Sequence, residues 1–251
     1  MFFKKVIPGS TSRLAFIDHN ETYGRHILEK HVKNISISAC IDIGCGGGND
    51  LSIVKKYHPN SKLFGIDYGS WSFDRLRKLG ITPTSLDIEK GELPFEYKSV
   101  DFVIANQVLE HTKEVFWINH EIFRCLKVGG YFFMGVPNIL SLHNRVLMAM
   151  GYHPTCNKLT SAHVRVFSKH DVYSFYHYIG NHFCKIEHFH GSQFYPLPKV
   201  ISRFISLLLP SLALTSFYLI KKTGEYKSEF IDWPKHAELE TNYYTGSQKI
   251  P

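Results

Sequence analysis

The sequence predicts an α/β fold built on a parallel sheet, and three observations carry that prediction. Between residues 20 and 190, short apolar runs alternate with segments of helical period, which is the pattern of βαβ units. One such junction, IDIGCGGGND at 41–50, packs four glycines into five residues directly after an apolar run. At 251 residues and 44% hydrophobic, the chain is long enough to bury one full core.

In chain order, ETYGRHILEKHV sets Tyr23, Ile27, Leu28 and Val32 on one helical face, predicting an N-terminal helix ahead of the sheet. ACIDIG is the first strand, and Asn49 is expected to cap the helix DLSIVKKYH behind the glycines. KLFGID is the second strand. Ser70 opens a helix that Gly80 closes, TPTSLD is the third strand and SVDFVIAN the fourth. A helix with Ile118, Ile122 and Leu126 inward is expected to run to Gly129-Gly130, with YFFMGVP as the fifth strand. Ser168 and Asp171 fit a capping box for a helix ending near Gly180, and CKIEHFH is the sixth strand. LPKVISRFISLLLP then reads as a buried helix and ALTSFYLIKK as the seventh strand.

The apolar stretch 201–220 has transmembrane length, yet Arg203, Pro210 and four serines argue against a span. Peripheral contact with a membrane surface through 197–214 is the other reading of it. Past Gly224 the periodicity fades, so a lid or a coat over the domain is expected. The whole chain is expected to form one domain: a helical cap at 1–37, a core at 38–222 and a tail at 223–251.

A net charge of +7 favours an anionic partner, but Lys and Arg come in nothing denser than pairs such as Lys55-Lys56, so nucleic acid is permitted and not indicated. Five cysteines without close pairs suit neither a zinc site nor a redox motif and predict a reducing, cytoplasmic setting. The first residues show no apolar run of the signal-peptide kind.

Glycines between a strand and a helix let a ligand touch main chain where a Cβ would collide. A dinucleotide site wants G-x-G-x-x-G; Gly44 and Gly46 fit, but Asn49 stands at the third glycine. Asp42 at the strand tip repels a pyrophosphate and attracts a cationic or amino-bearing ligand. Asp67 ends the second strand, where a carboxylate accepts from both ribose hydroxyls, and Asp87 ends the third, within reach of an adenine amino group, with the Ile88 N–H beside it. Each acid alone is an ordinary loop residue. Three at successive strand ends on one sheet edge define a nucleoside-binding edge.

The ordered set IDIGCGGGND, FGIDYG, LDIEKGELPF, VDFVIANQVLEH and CLKVGGYFFMGVPN resembles the class I S-adenosylmethionine-dependent methyltransferases, in particular the broad bacterial set with V-L-E-H after strand four. The resemblance spans about residues 35–190, and to 222 through the last two strands. It implies a Rossmann-like seven-stranded sheet of order 3-2-1-4-5-7-6, strand seven antiparallel, with helices on both faces. It implies that Asp42, Gly44, Cys45, Gly46 and Gly48 hold the methionine part of S-adenosylmethionine, Asp67 the ribose with Tyr68 beside the adenosyl group, Asp87 and Ile88 the adenine, and Asn106 and Gln107 the sulfur side.

Methyl transfer needs the acceptor positioned and, for a hydroxyl, its proton removed. His111, after the fourth strand, and His163, in an H-x-R-x-F stretch that resembles the family's acceptor loop, are the candidate catalytic residues; either can equally hold loop shape. Arg165 reads better as a pin for that loop, and His143 and Asn144 are weaker acceptor-side candidates. No metal is expected, because Gln107 stands where metal-binding members carry an acid. The expected activity is O-methylation of a small-molecule or carbohydrate acceptor. The tail KSEFIDWPKHAELETNYYTG with LPKVISRFISLLLP resembles those of bacterial methyltransferases of surface-polysaccharide synthesis. An NAD-dependent oxidoreductase and a non-catalytic binding module of the same fold are the alternatives.

Overall fold

The computed structural model describes residues 19–155, 157–239 and 243–246; the first 18 residues of the expected cap, Cys156 and the remaining tail positions lie outside the described residues. Seven strands form one sheet: β1 Ala39–Ile43, β2 Lys62–Asp67, β3 Thr82–Ser85, β4 Val100–Asn106, β5 Leu126–Pro137, β6 Cys184–Ser192 and β7 Thr215–Lys222. Their order is 3-2-1-4-5-7-6, with β7 antiparallel to both neighbours and the other pairings parallel. The carboxyl ends of β1 to β6 therefore share one edge. The helices are α1 His19–Thr22, α2 Arg25–Val32, α3 Asn49–Tyr57, α4 Phe73–Lys78, α5 Val115–Cys125, α6 Leu142–Ala149, α7 Lys169–Gly180, α8 Lys199–Leu208 and α9 Glu229–His236, with 3-10 turns at Leu109–His111 and Pro210–Leu212.

The near-continuous apolar run of β4 follows from burial on both faces. Phe102 and Ile104 join Leu28, Leu51 and Leu76 from α2, α3 and α4 on one side. Val103 and Ala105 point the other way, into a cluster with Ile122, Phe123, Tyr176 and Phe230 from α5, α7 and α9. Phe123 is fully buried among five aromatic rings, those of Phe132, Tyr176, Phe183, Tyr226 and Phe230. Truncating such a side chain costs about 3–5 kcal/mol. No helix among the described residues is long and apolar enough to cross a membrane.

Sheet order and the seven strands match the expectation, and Ser168 caps α7 as expected, accepting from the Asp171 amide at 3.2 Å. Five local expectations are corrected. The N-terminal helix is broken between α1 and α2 at Gly24, which is left-handed and lies so close to the Phe217 ring that a Cβ would sit 2.3 Å from Cζ. Asn49 does not cap α3; Gly48 holds that position, and the Asn49 side chain instead accepts from Arg75 at 3.0 Å. The helix through Ile118 stops at Cys125, and Leu126 already belongs to β5, so Gly129 and Gly130 lie inside a strand where the pairing with β4 shifts register. The tail is not aperiodic throughout: α9 inserts Phe230 into the core. Finally, α8 is not a buried helix. Its serines face inward, Ser202 accepting from the Phe194 amide at 2.5 Å and Ser206 donating to the Ser202 carbonyl at 2.8 Å, while Val200, Phe204 and Leu207 are 80%, 64% and 76% exposed.

Candidate functional site

The glycine loop turns from β1 into α3 at the carboxyl edge. Its start is fixed from β2, whose Ile66 carbonyl accepts from the Gly44 and Cys45 amides at 2.8 and 3.1 Å. Gly44 is left-handed and lies under Val108, where any Cβ would meet Cγ2 at 2.5 Å, so the tip of β4 packs directly on the loop. Beside Gly46, by contrast, a Cβ would meet nothing within 4 Å. The loop is closed on the protein side and bare on the other. Cys45 is buried, and burial pushes its thiol up, so it fills space and is no nucleophile.

Asp67 holds its carboxylate against this bare side, accepting from the Gly46 amide at 2.9 Å and the Gly69 amide at 3.1 Å. Tyr68 and Trp71 follow it in the chain with 80% and 76% of their surfaces exposed. Next along the edge, the Leu86 amide donates to the Asp67 carbonyl and brings Asp87 and Ile88 alongside. Asp87 accepts from the Glu89 amide at 3.1 Å and faces the Lys90 ammonium at 3.5 Å, so its carboxylate is oriented by its own turn.

Behind the loop stands a second layer of charge that sequence reasoning missed. Asp50 on α3 is buried and accepts from Arg25 on α2 and from the Asn106 amide, both at 2.7 Å. Asn106 also donates to the Tyr23 carbonyl at 2.8 Å. Asn106 is thereby a brace between β4, the α1–α2 turn and α3, and its buried Oδ1 keeps no partner among the described residues. Gln107 has left-handed backbone, φ 61°, donates its amide to Gly135, and keeps a buried side-chain Nε2 with no partner among the described residues. A strained residue with an unspent donor is the kind found at ligand clamps. Asp42 is 3% exposed; burial first, then the neighbouring Asp50, push its carboxyl well above the usual range, with Arg25 opposing. An acid immediately after a glycine loop looks like a helix-dipole partner. Nothing in the sequence singled out its pairing with an arginine 25 residues upstream.

The two candidate histidines meet. His111 and His163 lie edge to face, ring centroids 4.8 Å apart, with the buried Glu110 carboxyl 3.9 Å from His111 Nε2. His111 Nδ1 lies 3.2 Å from the Ala162 carbonyl, which fixes Nδ1 as the protonated nitrogen and leaves Nε2 as the basic one. Backbone amides of Val164 and Arg165 donate to the Glu110 carbonyl, and Arg165 donates to the Lys113 carbonyl, so Arg165 is the expected pin. Glu110 has one carboxyl oxygen buried without a partner, and burial raises its pKa to about 8. Ligand atoms of Glu110, His111 and His163 lie within 4.8 Å of one another, a donor set of the kind a divalent ion also uses; the sequence reading, which turned on Gln107, did not foresee it. His143 and Asn144 do not join this cluster: His143 meets Tyr195 edge to face, and Asn144 is buried with its amide on the Asn138 carbonyl.

A seven-stranded sheet of this order, with β7 antiparallel and the glycine loop and strand-end acids on one edge, is the class I methyltransferase fold. Residues 41–134 match the family model described as a methyltransferase domain. It is similar to a probable S-adenosylmethionine-dependent methyltransferase of Mycolicibacterium smegmatis, 26% identical over 54% of this chain and 50% of that one. In solved structures it is similar to a SAM-dependent methyltransferase from Aquifex aeolicus, TM-score 0.55 at 15% identity over 86% of this chain and all of that one. A second similar structure is the Burkholderia thailandensis 1,6-didemethyltoxoflavin-N1-methyltransferase with bound S-adenosylhomocysteine, TM-score 0.56 at 12% identity over 85% of this chain and 83% of that one. The chain spans about half the length, or less, of the curated relatives it matches.

Proposed function

We propose that the protein transfers the methyl group of S-adenosylmethionine to a hydroxyl of a small-molecule or carbohydrate acceptor in the cytoplasm. The observation that carries this reading is the His111–His163–Glu110 cluster, of which Glu110 and His111 stand on the turn that follows Val108, which itself lies on Gly44. A proton acceptor thus stands next to the loop that receives the methionine end of the cofactor. When bound, the cofactor supplies an electrophilic methyl on a sulfonium centre. The chain does the rest: Asp67 accepts from the ribose hydroxyls, Asp87 and the Ile88 amide address the adenine, and the loop amides with Asp42 receive the amino-acid end.

His111 Nε2 takes the acceptor's proton. The imidazolium so formed lies beside the Glu110 carboxyl, and the half-exposed His111 returns the proton to solvent once the methyl has moved. His163 holds the His111 ring edge to face and closes the acceptor side. The four described thiols, Cys40, Cys45, Cys125 and Cys184, are free and buried, which supports a reducing compartment.

The test is transfer of isotopically labelled methyl from S-adenosylmethionine to a panel of hydroxyl-bearing glycosides and small alcohols, with His111→Ala alongside. Label appearing as a methyl ether, and lost in the variant, is the expected outcome. Labelling of nitrogen acceptors only, or full activity in the variant, would sink the assignment of His111 as the base for a hydroxyl.

A further inference from the structure

We propose that α8 and α6 dock the protein on the surface of an anionic phospholipid bilayer, with the carboxyl edge of the sheet turned toward the lipid. The first observation is the inversion of α8. Its Val200, Phe204, Leu207 and Leu208 are between 64% and 80% exposed, while Ser202 and Ser206 on the opposite face bind inward. Lys199 and Arg203 border the apolar arc and reach the buried Glu21 on α1, which fixes the rotation of the helix with its apolar residues outward. Ten residues with such segregation are too few to span a bilayer and suit a helix lying in the interface plane. On α6, Leu142 and Val146 are likewise about half exposed, and the His143–Tyr195 ring contact at 5.1 Å joins α6 to the approach to α8.

The second observation is charge. From 137 to 170 and from 188 to 214, the stretches that carry α6 and α8, the chain has none of its 22 acids and six of its 29 Lys and Arg residues. Everything else therefore balances to within one charge, and the +7 of the chain resides almost wholly in these two stretches. Exposed leucine and phenylalanine bordered by Lys199 and Arg203, two cations against the single acid Glu21, leave a net positive rim that complements lipid headgroups of negative charge over acyl chains. Both stretches leave the carboxyl ends of β5 and β6, the edge on which the glycine loop lies, so a docked protein would meet amphiphilic acceptors there.

The experiment is co-sedimentation of the full chain with vesicles of phosphatidylcholine containing phosphatidylglycerol, against phosphatidylcholine alone, using wild type and Phe204→Glu/Leu207→Glu. Neither cofactor nor acceptor is present, so the outcome stands apart from the methyl-transfer reading. Wild type is expected to partition onto the anionic vesicles at least about tenfold more strongly than onto neutral ones and than the double variant does, and to lose binding as salt is raised. An unchanged melting temperature shows that the variant is folded, as side chains pointing to solvent allow. Equal binding by the folded variant, or no partition of wild type onto anionic vesicles, overturns the proposal. So does a wild-type dimer in sedimentation velocity that the variant converts to monomer, since the face would then belong to a second copy. RNA binding by wild type with no partition onto anionic vesicles would overturn it too and reassign the basic stretches to nucleic acid.

Discussion

The two halves of the carboxyl edge are built in opposite ways. On the β1–β3 side, each functional group sits within a few residues of a strand end and is oriented by main chain: Asp67 by the Gly46 and Gly69 amides, Asp87 by its own turn. On the β4–β6 side, groups are assembled from afar: His111 is oriented by the Ala162 carbonyl, and Glu110 is covered by the 164–165 backbone, more than 50 residues on. A site made of local backbone geometry has to be encoded locally and reads as a motif. One made by long-range assembly leaves only scattered residue types.

Removing the proton acceptor separates the halves most sharply. His111→Ala should lower kcat by on the order of 10² to 10⁴ while leaving S-adenosylhomocysteine affinity unchanged, measured by labelled transfer and calorimetry in parallel. A matched loss of cofactor affinity would mean that the halves are not separable. Asp67→Ala attacks the other half: with two hydrogen bonds to a charged acceptor removed, cofactor affinity should fall on the order of a hundredfold or more, with the fold intact by circular dichroism. Unchanged affinity would refute the ribose role.

Smaller effects test the cost of keeping acids buried. Asp42→Asn should melt higher than wild type at neutral pH yet bind S-adenosylhomocysteine more weakly. Because the native carboxyl holds its proton more tightly than the unfolded one, wild type loses stability as pH rises above the ordinary aspartate range, and the amide escapes that loss. Melting curves from pH 4 to pH 8 that run parallel for the two proteins would contradict it. Glu110→Gln obeys the same sign over a window reaching about 8, with the variant's advantage growing to a few degrees by that pH.

Much of the fold was legible because strands buried on both faces write themselves as apolar runs, and β1, β2, β4 and β7 sit where those runs are. Boundaries failed where a single backbone event decided them: the left-handed Gly24 that splits α1 from α2, and the switch from helix to strand at Leu126. In α8 the apolar pattern was legible and its direction was not. Amphipathicity says that two faces differ, and only the serine contacts and the Arg203–Glu21 pair say which face is inside. Likewise Asp50 was in plain view within the glycine stretch, but its role depends on Arg25 and Asn106, brought in by α2 and β4.

The central claim is that the bare glycine loop with Asp42 and Asp67 receives S-adenosylmethionine and not a dinucleotide. Titration calorimetry of the full chain with S-adenosylhomocysteine and, separately, with NADH tests it directly. Saturable binding of S-adenosylhomocysteine with no heat from NADH is the predicted result; binding of NADH with none of S-adenosylhomocysteine would contradict it.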